Sequence, residues 1–233
     1  HGKNGLTKAN GFEDQGYVLV YARIAARFVG ATTMDRPEWV ACHPSSPMVF
    51  CTLTNNKYRG VKDDQPINAA NPTEKNPYGH IIRWVPENRD HTSNRFGWDL
   101  FAVAGNPALH SGQKGGSDNV TTENMFNAPD GLAFDKSGRM WIQTDGNYKN
   151  EGDFAGHGNN QMLCADPVTG HIRRFMVGPR KCEITGISFS NDQRSMFVGI
   201  QHPGDSFPSA EKDGVPRSTV IVVRREDGGI VGA

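Results

Sequence analysis

A chain of 233 residues with 25 acidic and 25 basic side chains carries no formal net charge, so it lacks the global field that gathers nucleic acid or an anionic membrane surface. Its 27 glycines and 14 prolines favour short strands and many turns over long helices, and no apolar run approaches the ~20 residues that span a bilayer. The four cysteines, Cys42, Cys51, Cys164 and Cys182, lack the paired spacing of zinc or dithiol sites and read as buried thiols.

Residues 1–14 are polar and Gly-rich and read as a frayed start, with no leader of charged and then apolar residues; the chain reads as cut from something longer. From 16 to 32, Tyr17, Val18, Tyr21, Ile24, Ala25 and Phe28 recur at i, i+3, i+4, which predicts an amphipathic helix packed by that stripe on the rest of the fold. A hairpin follows over 36–55. The polar connection 56–78 opens on Lys57-Tyr58-Arg59-Gly60 and is broken by Asn71-Pro72 and Asn76-Pro77; it reads as a loop, and loops of that length are more often functional than neutral. Strands are expected over 79–87 and 96–105, and a Gly/Asn/Ser-rich insertion over 105–124. A second hairpin (126–146), a Gly-rich loop (147–160) and the strand pair 161–166 and 171–176 come next. A third unit starts at Cys182, loses regularity over 202–217 and recovers over 218–225.

These units repeat one phrase. The second hairpin opens on Asp130 and closes on Asp145. Laying the first hairpin on it places Glu38 over Asp130, Asn55 over Asp145, and Cys42 and Cys51 over Phe134 and Trp141. In the third copy Glu183 falls two residues earlier, over Arg36 and Ala128, a shift that keeps the same strand face. Four-stranded units recurring at roughly 40 to 50 residues are the mark of a β-propeller. The predicted fold is therefore an all-β propeller domain over 1–233, with blades at about 33–105, 125–180 and 181–226 plus the N-terminal helix. Propellers use about four to eight blades, so three read as half a ring.

Glu38, Asp130 and Glu183 should converge at one end of the axis, where they repel one another unless a cation neutralises them. An all-carboxylate cluster, with Asn55 and Asp145 as weaker candidates, suits Ca²⁺ or an oxygen-loving transition metal. Neither a His-Glu-x-x-His zinc motif, a Gly-x-Ser-x-Gly elbow nor a P-loop is present. Arg36 shares the face of Glu38 and is suited to a bidentate grip on phosphate or carboxylate. The bland alternative is that the acids cap turns and Arg36 pairs with Glu38. His43 reads as structural, while His80 and His202 stand at loop-strand joints within reach of the rim.

Asp35-Arg36-Pro37-Glu38-Trp39, Asn76-Pro77-Tyr78-Gly79-His80-Ile81-Ile82-Arg83-Trp84, Pro129-Asp130-Gly131-Leu132-Ala133-Phe134-Asp135, Trp141-Ile142-Gln143-Thr144-Asp145-Gly146, Cys182-Glu183-Ile184-Thr185-Gly186 and Gln201-His202-Pro203-Gly204 resemble the PhoX family of bacterial alkaline phosphatases, from about residue 10 onward. The resemblance implies a six-bladed propeller, exported folded by the twin-arginine route to the periplasm or beyond, that hydrolyses phosphate monoesters with Ca²⁺ and Fe³⁺ in a central cluster. It implies Glu38, Asp130 and Glu183 as metal ligands and Arg36 as the phosphate-binding residue. It further implies a partner, an N-terminal half that supplies the remaining ligands including an iron-bound cysteine, without which these 233 residues would be inactive. Two alternatives stay open: a calcium-dependent propeller lactonase, which gives Arg36 no evident task, and a propeller that only binds. Metal content separates them, since iron with calcium favours the phosphatase, calcium alone leaves the others open, and no metal favours a binder.

Overall fold

The computed structural model describes residues 1–233, which divide into two compact units, His1–Met34 and Asp35–Ala233. In the first unit the expected single helix is two, α1 (Gln15–Val20) and α2 (Ala22–Phe28), interrupted at Tyr21, whose φ and ψ of −104° and 35° are not helical. Asp14 starts α1 by accepting the Tyr17 N–H at 2.7 Å. The run Tyr17-Val18-Leu19-Val20-Tyr21 is poor in strong helix formers, and the Tyr17 and Tyr21 rings settle 4.4 Å apart. The apolar stripe is packed only in part: Ala25 is buried, Tyr17 and Val18 are half-buried, and the Tyr17 and Phe28 rings meet the buried Phe12, while Tyr21, Ile24 and much of Phe28 are exposed.

The second unit is all-β, built from three antiparallel sheets. The first holds β1 (Pro37–Cys42), β2 (Val49–Leu53), β3 (His80–Pro86) and β4 (Phe96–Val103) in chain order. The second repeats that order with β5 (Pro129–Phe134), β6 (Met140–Thr144), β7 (Gln161–Ala165) and β8 (Ile172–Val177). The third has β9 (Glu183–Phe189), β10 (Met196–Gln201) and β11 (Thr219–Val223), with β10 in the middle. The long interval between the first and second hairpins is shared by two strandless stretches, 87–95 aside: 54–79 and 104–128. No helix is long and apolar enough to cross a membrane.

Strand alternation explains the packing. In β6, Met140 and Ile142 join a core with Phe50, Ile81, Phe101 and Leu132 of the neighbouring strands, while Trp141 between them joins Met162, Ile184, Met196 and Val198 on the other face. The middle sheet is thus covered on both sides, and each such apolar side chain contributes about 2 kcal/mol relative to exposure. Side chains at matching places on the second strands tie the sheets together. Thr52 Oγ1 donates to the Asp130 carbonyl at 2.5 Å, and Gln143 Nε2 to the Gly186 carbonyl at 3.0 Å.

Register corrects the repeat by one residue. The first hairpin turns through 44–47, closed by His43 N–H to the Met48 carbonyl, whereas the second turns through 136–138, closed by Asp135 N–H to the Arg139 carbonyl. That extra turn residue puts Thr54, not Asn55, in the place of Asp145: Thr54 N–H meets the Arg36 carbonyl as Asp145 N–H meets the Ala128 carbonyl. By the same slip Cys51 lies over Ile142 rather than Trp141. In the third sheet Gln201 pairs with Glu183, so Glu183 stands over Ala128 and Arg36, in keeping with the two-residue offset.

All four cysteines are free; Cys51 and Cys182 are buried and Cys164 half-buried, but Cys42 is exposed. It lies on β1, an edge strand with little over it, so alternation alone misjudged its burial. Burial pushes the other three thiols up to about 11, which keeps them protonated and unreactive.

Candidate metal centre

The first strands of the three sheets all begin irregularly. The β1–β2 ladder slips between Pro37 and Val40, the β5–β6 ladder between Pro129 and Leu132, and β9 slips beside Gly186. A bulge re-aims side chains and is common beside functional sites; here two of them carry Glu38 and Asp130. Antiparallel pairing returns the end of β6 to the start of β5, which brings Asp145 back beside Asp130. Thr52 and Gln143 then hold adjacent sheets in place at that end. As a result, ligand oxygens of Asp130, Asp145 and Glu183 lie within 4.8 Å of one another.

Burial and mutual repulsion raise all three carboxyls of the trio. Burial, followed by the charges of Glu38 and Asp145, pushes Asp130 up to about 6 against the opposing pull of Arg36. Asp145 is open to solvent on one side and crowded on the other; desolvation raises it, Arg36 opposes, and Glu38 adds to the rise. Desolvation raises Glu183 too, reinforced by Asp145 and Asp130. Three oxygen-donor groups that disfavour their own charge this way suit a hard cation, which would lower all three at once. Glu183 is oriented by Gln201, whose Nε2 donates to Oε2 at 2.9 Å.

Asp145, the weaker candidate on sequence, lies with Asp130 and Glu183, while Glu38, exposed like Asp145, lies beside that group and acts on the others through its charge. Asn55 does not join the carboxylates; its Oδ1 accepts from Arg36 Nη1 at 3.1 Å. His202 is exposed and its charge opposes the rise of Asp145 and Glu183. His80 does not reach the rim. It is buried, with Nε2 donating to the Ala70 carbonyl at 2.8 Å and Nδ1 accepting from Asn76 at 3.3 Å, and burial holds it below the usual histidine range. His43 is structural, its ring edge-on to Phe134 and its Nδ1 accepting from Ser45 N–H.

The family model described as alkaline phosphatase PhoX matches residues 3–204. The chain belongs to the PhoX family. PhoX of Pseudomonas fluorescens, solved in complex with vanadate as a transition-state analogue, is 62% identical with a TM-score of 0.97, and the match covers 100% of this chain and 41% of that one. The present chain therefore spans 41% of the length of that relative. A luciferin-regenerating enzyme (8% identity, TM-score 0.44, 81% of this chain and 45% of that one) and a gluconolactonase of Xanthomonas campestris (10%, 0.35, 84% and 61%) are looser likenesses that inform nothing further. No curated protein matches the sequence.

In this PhoX chain Asp145 of the acidic trio lines a cleft of about 440 Å³ together with Arg36, Asn55, Lys57, Tyr58 and Lys75. Tyr58 is flanked by the ammonium groups of Lys57 and Lys62, 5.1 and 4.0 Å from its ring centre. Gln201 and Lys75 were not candidates on sequence. The one sign of the cleft wall there was the length of the 56–78 loop, with Lys57 and Tyr58 at its start.

Proposed function

We propose that this chain supplies part of the active site of a metal-dependent phosphomonoesterase. The observation that carries the proposal is the juxtaposition of a carboxylate trio suited to hard cations with an arginine held for an oxyanion, Asp145 of the trio and Arg36 lining the same cleft. Asp130, Asp145 and Glu183 would hold cations with Glu38 beside them, and Ca²⁺ and Fe³⁺ are the ions we propose, as the motif resemblance implies. When bound, such ions supply Lewis-acid stabilisation of charge on the phosphoryl oxygens. Arg36 would grip the non-bridging oxygens with its planar fork, favouring the more charged transition state over the ester. Asn55 keeps that fork from rotating, and Gln201 does the same for the Glu183 carboxylate. Lys57 and Lys75 raise the local concentration of anionic substrate at the mouth.

The vanadate bound by the relative from Pseudomonas fluorescens supports a phosphoryl-transfer role for the corresponding cleft here. Since the chain spans 41% of that relative, we assign the remaining metal ligands to sequence outside these 233 residues. From the motif resemblance we further propose that the three sheets are three blades of a six-bladed propeller, and that the whole protein works in the periplasm or outside the cell after twin-arginine export. The lactonase alternative finds no support in the cleft, because a neutral ester gives Arg36 no cluster of anionic oxygens to meet.

The test is inhibition. The metal-loaded protein containing this chain should hydrolyse simple phosphate monoesters and be inhibited competitively by vanadate, with the vanadate affinity lost in Arg36→Ala. Turnover that vanadate leaves untouched would reject the assignment.

A further inference from the structure

Arg36 has a backbone conformation that must be enforced. Its φ is +53°, in the left-handed region that side-chain-bearing residues avoid and that persists only where the surroundings over-determine it. Three restraints meet on it. On its C-terminal side, Thr54 N–H donates to its carbonyl at 3.2 Å. At the guanidinium, Asn55 accepts at 3.1 Å. On its N-terminal side stands Asp35, which is fully buried.

Both oxygens of the Asp35 carboxylate are engaged. Oδ1 accepts from Arg59 Nε at 2.8 Å and from Asn56 Nδ2 at 2.9 Å, and Oδ2 accepts from Asn76 Nδ2 at 2.9 Å. Its backbone N–H donates to Asn71 Oδ1 at 3.0 Å. Arg59 is as deeply buried as its partner, and its Nη1 donates to the Pro66 carbonyl at 2.8 Å. A buried ion pair is a poor way to gain stability, since apolar residues of the same volume do as well or better; what it does provide is one permitted geometry. Every one of these partners comes from the 56–76 stretch, and the same stretch sends Lys57, Tyr58 and Lys75 into the cleft wall.

We propose that the buried Asp35–Arg59 pair is a positioning device for Arg36: it locks the long loop to the residue that precedes the phosphate grip, so that the loop and the guanidinium hold one arrangement. Neither Asp35 nor Arg59 touches substrate in this scheme; both act through Arg36. The proposal rests on the phosphatase assignment and on Arg36 as its anion-binding group.

A double-mutant cycle tests it in the metal-loaded protein containing this chain, with inorganic phosphate as the binding probe and a simple phosphate monoester for kinetics. Asp35→Asn keeps the shape and the Asn71 contact but removes the charge. It should weaken phosphate binding and lower kcat/KM on the order of ten- to a hundredfold, the scale set by a misplaced binding group, with bound metal unchanged. In the Arg36→Ala background the same change should cost no more than about twofold, because the group it positions is already gone. An equal loss in both backgrounds means a general structural role and overturns the proposal, as does no loss in the first. Asn71→Ala, which leaves both charges paired but removes the acceptor for Asp35 N–H together with the Asn71 Nδ2 bond to Asn68 Oδ1, should show the same coupling at smaller size. Should Asp35→Asn not fold, an Asn71→Ala effect that persists undiminished without Arg36 overturns the proposal. The two levels separate cleanly: Arg36→Ala that binds phosphate like the parent overturns both, whereas a damaged Arg36→Ala with an innocent Asp35→Asn leaves the phosphatase assignment standing.

Discussion

Asp130 is where crowding, a neighbouring carboxylate and an opposing arginine meet, and their balance sets what the site does with pH. A carboxyl raised to about 6 binds protons more tightly when folded, so without a cation the fold gains from it at low pH and loses that contribution as pH rises through about 6. Cation binding runs the other way, because the ligand must be deprotonated. Calcium affinity measured by calorimetry should therefore fall about tenfold from about pH 7 to about pH 5, and Asp130→Asn should flatten most of that dependence while weakening binding throughout. A pH-independent affinity would mean that Asp130 is not a ligand. Arg36 gives a second prediction at this scale. Arg36→Ala should lower kcat on the order of a hundredfold or more, as loss of a transition-state donor does, and Arg36→Lys should restore charge but not the two-point grip. Equal activity of the three proteins in a phosphate-ester assay would reject the role. The acidic residues and Arg36 were readable from the repeat. That Thr54 rather than Asn55 matches Asp145 was not, because it depends on one extra residue in the first hairpin turn, nor was the closeness of Asp145 to Asp130 and Glu183, which depends on bulges that no residue pattern announces.

At the scale of elements, the strands followed from alternation and turn chemistry, and the helical stretch followed from periodicity, though not its break at Tyr21. A stripe spaced for a helix does not say how much of it is buried, and Tyr21 shows how a run of aromatic and β-branched residues gives way. The loop 56–78 was legible as a loop, yet the reason for its length is the buried pair at its heart, which a sequence shows only as one aspartate and one arginine 24 residues apart. Its exit into β3 passes through Gly79, where φ is +84° and an added Cβ would stand 2.3 Å from the Leu53 and Thr54 carbonyl oxygens. Those oxygens are backbone and cannot yield. Gly79→Ala should cost about 3 kcal/mol or more and lower Tm by several degrees in calorimetry, while Gly97→Ala in β4, with nothing within 4 Å, should leave Tm unchanged or slightly higher. Equal Tm values for the two variants would contradict the packing described at the loop exit.

At the scale of the whole molecule, three sheets stack so that the middle one is covered on both faces and the outer two are not. Trp39 and Val40 on β1 and Val220 and Val222 on β11 are exposed, and uncovered strand edges invite pairing with other chains. The 233-residue chain by itself should therefore self-associate in sedimentation experiments, and Val220→Lys with Val222→Lys should reduce that association without altering its circular dichroism; a monomeric parent chain would contradict this. The central claim is that the carboxylate trio and Arg36 form part of a metal-dependent phosphatase site. It is tested most directly by phosphate release from a simple monoester, measured in the protein containing this chain before chelation, after it, and after calcium is returned. The account predicts activity that chelation abolishes and calcium restores, and robust hydrolysis that persists in the fully metal-stripped protein would contradict it.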